Sequence, residues 1–88
     1  MRSRVFKTRY GRIMLTDQTF TYNEKRDAQQ QSVSITRADI TKVRLVTHQV
    51  WFAGSWTEVI VRHNGGTLSI SPVGHRTAQR VRKALGFH

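Results

Sequence analysis

Four histidines, five carboxylates and no cysteine bound the reaction chemistry this chain can hold. His48, His63, His75 and His88 are scattered, with no pair at the i, i+4 spacing of a helical metal site and no thiolate to complete one. They are expected at the surface. The carboxylates Asp17, Glu24, Asp27, Asp39 and Glu58 are not paired for general acid and base work. No glycine-rich phosphate loop or nucleophile elbow occurs either. The expectation is a non-catalytic protein with no cofactor and no metal site.

The chemistry that stands out is that of contact. Trp51, Phe52 and Trp56 surround a small-residue turn at Ala53-Gly54-Ser55, and Lys42, Arg44 and Arg62 lie in the flanking sequence. Aromatics at a loop tip beside cations can enter a membrane interface, stack on bases or form the seam of a homo-oligomer. They can equally cap the end of a core. Lys42, Arg44, Trp51, Phe52, Trp56 and Arg62 are therefore the candidate binding surface.

Charge gives the sign of the partner. Fifteen Lys and Arg against five Asp and Glu leave a formal charge of +10, which favours an acidic membrane lipid or an acidic protein. A second assignment uses other cations: Arg2, Arg4, Lys7, Arg9 and Arg12 precede the first acid, and Arg76, Arg80 and Lys83 fall in an acid-free C-terminal segment. Those residues would track the phosphates of nucleic acid. Only Gln79 accompanies the helical cations, so such binding would not read base sequence. The third possibility is a structural or oligomerisation module whose basic surface is incidental.

The elements that must position these residues are short. Eighty-eight residues make one domain with one modest core, and about 4–13 kcal/mol of stability is usual at that length. No run approaches the roughly eighteen apolar residues of a membrane span, and no apolar signal segment follows the first arginines. The expected location is the cytoplasm, at the membrane periphery where the partner is lipid. Residues 1–4 read as a flexible start, strands fall within 5–71 and a helix spans about 75–85.

In chain order, Val5, Tyr10, Ile13 and Leu15 can supply the apolar side of a first strand carrying Lys7, Arg9 and Arg12. Thr16-Asp17-Gln18 reads as a turn into a strand that buries Phe20 and Tyr22, and polar residues 23–31 read as a loop. Val33 and Ile35 alternate with polar neighbours, and Arg37-Ala38-Asp39-Ile40 forms a corner in which Asp39 satisfies a backbone N–H and Ile40 enters the core. Val43 and Leu45 then face inward, with Lys42 and Arg44 outward. Val59 and Val61 follow on the next strand. Asn64-Gly65 predicts a type I′ hairpin leading to Leu68 and Ile70. Ala78, Val81, Ala84 and Leu85 recur at helical spacing, with Ser71-Pro72 or Gly74 at the start and Gly86 at the left-handed C-terminal cap. The fold class is mainly β (α+β): an antiparallel, curved sheet or open barrel of about six to seven strands with one C-terminal amphipathic helix.

That order of elements resembles the pleckstrin-homology-like superfold, especially its small bacterial and GRAM-type members. Gly11-Arg12-Ile13-Met14-Leu15-Thr16-Asp17 is similar to the family's strand entering a Thr-Asp turn. Val33-Ser34-Ile35 through Asp39-Ile40-Thr41-Lys42-Val43 is similar to its strand and corner. The resemblance spans nearly the whole chain and implies a sheet plugged by the helix, serving to bind lipid head groups or proteins. Its phosphoinositide-binding members use cations on the first two strands and their connecting loop. Here the Asp17-Gln18 loop is short and acidic, so the resemblance implies attraction to anionic surfaces rather than recognition of one inositide.

Overall fold

The computed structural model describes residues 3–52 and 54–87. Seven strands and one helix follow in order: β1 (Arg4–Lys7), β2 (Gly11–Leu15), β3 (Thr19–Arg26), β4 (Gln29–Thr36), β5 (Ile40–Val50), β6 (Gly54–His63), β7 (Gly66–Val73) and α1 (His75–Ala84). They form two antiparallel sheets of sequential strands, β1-β2-β3-β4 and β5-β6-β7. The inward residues of both sheets, among them Ile13, Phe20, Val59, Val61 and Ile70, meet Val81 of α1 in one core. The helix lies against β5, β6 and β1. Its Ala78 and Val81 are buried, whereas Arg76, Arg80 and Lys83 are exposed.

Several local features depart from the sequence expectation. Polar residues 23–31 are not a loop: β3 and β4 continue to a two-residue connection, Asp27-Ala28, with Arg26 opposite Gln29 and Glu24 opposite Gln31. Register explains this. The apolar pairs Phe20/Ile35 and Tyr22/Val33 fix the alignment over the core, and the ladder then runs on past it with both faces wet. Asp27 supplies the positive φ (56°) that the tight connection needs.

The first strand is likewise two strands. β1 ends at Lys7, Arg9 lies in the turn and Arg12 lies on β2. Phe6 pairs with Ile13, so Phe6 is buried and Val5 is exposed, the reverse of the expected facing. Gly11 is required where β2 meets β3, because a Cβ there would run into the carbonyl of Asn23.

Asn64 and Gly65 do connect β6 to β7, but the positive φ falls on Gly66 (138°), so the turn is not type I′. β7 continues through the cis Ser71-Pro72 bond to a buried Val73, which removes Ser71-Pro72 as a helix start and leaves Gly74 at the N-cap. At the other end, Phe87 N donates to Arg82 O and Gly86 N to Lys83 O, both at 3.0 Å, around Gly86 at φ 88°. That is the expected Schellman cap.

The corner between β4 and β5 is a single 3₁₀ turn, Arg37–Asp39, and Ile40 is buried as expected. Among the described residues, Asp39 accepts with its carboxylate from a side chain rather than from the expected backbone N–H. Its Oδ1 accepts from Asn64 Nδ2 and its carbonyl accepts from Asn64 N, both at 3.2 Å.

Candidate functional site

A sheet of antiparallel neighbours sends alternate connections to opposite ends, and this sorting decides which residues meet. One end gathers the β1–β2 turn, the β3–β4 connection, the β5–β6 tip and the entry to α1. The other gathers the β2–β3 turn, the 3₁₀ corner, the β6–β7 turn and the C-terminus of α1.

At the first end, Trp51 and Phe52 form the tip of the β5–β6 hairpin and are 100% and 91% exposed. The largest apolar side chains of a domain are ordinarily the most covered, so two adjacent aromatics in open solvent are the most anomalous surface on the molecule. Trp56 behaves differently. It is half-buried on the outer face of β6, where its indole stacks on the imidazole of His48 with ring centroids 5.4 Å apart and planes at 19°. His48 Nε2 lies 3.1 Å from Glu58 Oε1, and Ser69 Oγ donates to the other oxygen of the same carboxylate. The Ser69 hydrogen bond, with His48 second, holds the Glu58 carboxyl below its usual range. This chain across β5, β6 and β7 locks Trp56 as the fixed base of the hairpin.

Beside that base, a groove is lined by Arg9, Tyr10, Arg26, Ser55 and Trp56, and a contiguous one by Lys7, Thr8 and Gly74. Two guanidinium groups lie over the Tyr10 ring, with Arg26 Cζ 4.0 Å and Arg9 Cζ 5.6 Å from its centroid. Arg26 also pairs with Glu24 Oε1 at 3.1 Å and reaches the carbonyl of Ser71 at 3.4 Å. Burial, followed by the hydrogen bond to the same Glu24 carboxylate, raises the Tyr22 hydroxyl above its ordinary pKa. The β1–β2 turn that presents Arg9 is fixed by Thr8, whose N–H donates to Gly11 O at 2.9 Å and whose Oγ1 accepts from Gly11 N at 3.1 Å.

The candidate surface read from sequence is thus divided. Lys42 and Arg62 are register partners on the outer face of β5 and β6, with Arg44 opposite Ile60 one step along. Eight residues of extended β5 lie between Lys42 and Trp51, which puts the two about 30 Å apart at the rise of a strand. Strand length, not sequence proximity, sets that gap, so these three cations do not flank the aromatic tip. Cations that share its end include Lys7, Arg9, Arg12 opposite Lys7, and Arg76 in the first turn of α1, all assigned by sequence to a phosphate-binding set, and Arg26, assigned to neither. Tyr10, expected on the apolar side of a first strand, lies instead in the β1–β2 turn because β1 ends at Lys7, and placing Arg26 needs the Asp27-Ala28 turn. Once that turn is recognised, alternation of connections puts Arg26 beside the β1–β2 turn.

The alternative phosphate-binding set is split as well. Arg76, Arg80 and Lys83 share the exposed side of α1. Arg4 lines a cleft with Asp17, Arg37 and Ala84 at the far end, Arg12 is exposed on β2 opposite Lys7, and Arg2 lies outside the described residues. Among the described residues no cluster of His, Asp or Glu is arranged to hold a metal ion, and no helix is long and apolar enough to cross a membrane. No protein-family model, curated protein or solved structure matches this chain.

Proposed function

We propose that this chain is a non-catalytic binding module of the pleckstrin-homology-like type that docks on an anionic membrane surface through the end bearing Trp51 and Phe52. The exposure of that aromatic pair is the observation that carries the reading. The four-plus-three arrangement of sequential antiparallel strands followed by a C-terminal helix supports the family assignment.

The energetics require both halves of the site. A cation near an acidic leaflet contributes about 1 kcal/mol, so Lys7, Arg9 and Arg26 together give only weak attraction, less for Arg26 because Glu24 already pairs with it. Insertion of two aromatic side chains adds about 1.5–3 kcal/mol each where burial is complete. Neither half alone holds a 10.2 kDa domain firmly to a bilayer. A lipid surface fits better than an acidic protein because Trp51 and Phe52 sit on a narrow convex tip, which enters an interface more readily than it matches a flat protein face. The exposed row Arg76, Arg80 and Lys83 favours a second reading, non-specific binding of nucleic acid by α1.

Co-sedimentation with liposomes tests the first reading. Pelleting with phosphatidylserine-containing vesicles that weakens with salt, and no pelleting with neutral vesicles, is the expected result. Equal pelleting with both, or with neither, contradicts it. A salt-sensitive shift of duplex DNA that is lost in an Arg76→Ala, Arg80→Ala, Lys83→Ala variant would favour the second.

A further inference from the structure

Two open sheets leave four edge strands, and three of them carry the features by which edges avoid pairing with other chains. β1 has four residues and includes Arg4 and Lys7. β5 presents Lys42 and Arg44 and is packed by α1. β7 contains Pro72, and its Ser71 carbonyl is taken by Arg26. β4 has none of these. Its eight residues, Gln29–Thr36, include no charge and no proline, and its pairing with β3 runs without a bulge. Six of the eight are exposed.

The hairpin geometry says which backbone groups are unused. A two-residue connection makes its flanking residues, Arg26 and Gln29, a hydrogen-bonded pair, and bonded pairs then recur at every second position. Gln29, Gln31, Val33 and Ile35 bond inward to β3. Gln30, Ser32 and Ser34 therefore aim their N–H and C=O groups outward, and they make no other backbone hydrogen bond among the described residues.

We propose that β4 is a self-association edge, pairing antiparallel with β4 of a second copy so that two four-stranded sheets become one sheet of eight. Charge selects the occupant. In a chain of net charge +10, two copies approach most cheaply where neither carries charge, and residues 28–36 are such a stretch on an exposed edge. With the two-fold axis at Ser32, Gln30 of each copy faces Ser34 of the other, and the half-buried Val33 gains cover from Gln31 across the axis. This goes beyond the membrane reading and uses a different surface from the aromatic tip.

Salt separates the two claims, because screening of like charges strengthens self-pairing and weakens attachment to acidic lipid. Analytical ultracentrifugation of the whole chain should show a twofold rise in mass from 10.2 kDa with concentration, promoted by added salt. Ser32→Pro removes an outward N–H while sparing the bonds to β3, and Ser32→Lys opposes like charges at the axis. Both should remain monomeric at concentrations where the parent chain dimerises. A parent chain that stays monomeric in high salt, or a dimer unaffected by both substitutions, overturns the proposal. The absence of native cysteine gives an independent readout that does not depend on those variants folding. Ser32→Cys should form a disulfide-linked dimer on mild oxidation and Thr67→Cys, on β7, should not. Equal cross-linking of the two, or none at Ser32→Cys, counts against β4.

Discussion

Arg37 donates Nη1 to the Thr16 carbonyl at 2.8 Å and Nη2 to the Ala84 carbonyl at 2.9 Å, tying the β2–β3 turn to the last turn of α1. A cation at a helix C-terminus also opposes the negative end of the dipole. Arg37→Met should keep the stem's packing, remove both bonds and cost about 1–3 kcal/mol in thermal or urea unfolding. The tip residues are the opposite case. Trp51→Ala with Phe52→Ala removes side chains that touch open solvent, so stability should change by less than about 0.5 kcal/mol, while pelleting with acidic vesicles is lost. Glu58 gives the pH dependence. Its pKa is lowered in the fold by Ser69 and His48, so its stabilisation is present above the usual glutamate range and is lost as pH falls through the lowered value. Urea unfolding from neutral pH down into the acid range should therefore show a shallower acid limb in Glu58→Gln than in the parent chain.

At the scale of elements, the 3₁₀ corner and the β2–β3 crossing carry the sharpest expectations. Ile40→Asp places an unpaired carboxylate in the core beneath the corner and should unfold the domain; a soluble variant that melts cooperatively would show that the corner is not core. Gly11→Ala would drive a methyl group into the Asn23 carbonyl, separating β2 from β3 at a cost of about 1–3 kcal/mol. Ile40 was readable in advance and Gly11 was not, for a physical reason. The alternation that buries Phe20, Ile35, Ile40, Val43, Val59 and Ile70 is written in each strand separately. The close approach at Gly11 exists only once two strands are in register. The same distinction explains residues 23–31. They lack apolar alternation because both faces of that part of the hairpin meet water, and their pairing is inherited from Tyr22 and Val33. It also explains the site: the sequence marks Trp51 and Phe52 as a tip, whereas their distance from Lys42 and their placement at the same end as Arg9 and Arg26 depend on how far β5 runs before it turns.

At the scale of the whole molecule, the cations of the described residues are distributed by the fold rather than by their proximity in sequence. Lys42 and Arg62 lie at one end of the β5–β6 hairpin, Arg76, Arg80 and Lys83 lie along α1, and Lys7, Arg9 and Arg26 surround the base of the aromatic tip. The last group shares its end of the fold with the exposed Trp51 and Phe52, and on the proposed reading that juxtaposition, rather than net charge, would distinguish attachment from general basicity. Tryptophan fluorescence examines it directly, because the chain has two tryptophans and Trp56→Phe leaves Trp51 as the single reporter. With phosphatidylserine-containing vesicles the emission should shift to the blue and be quenched by lipids brominated near the head group, reversing as salt is raised. Emission unchanged by acidic vesicles, or shifted equally by neutral ones, would contradict docking through the Trp51–Phe52 tip.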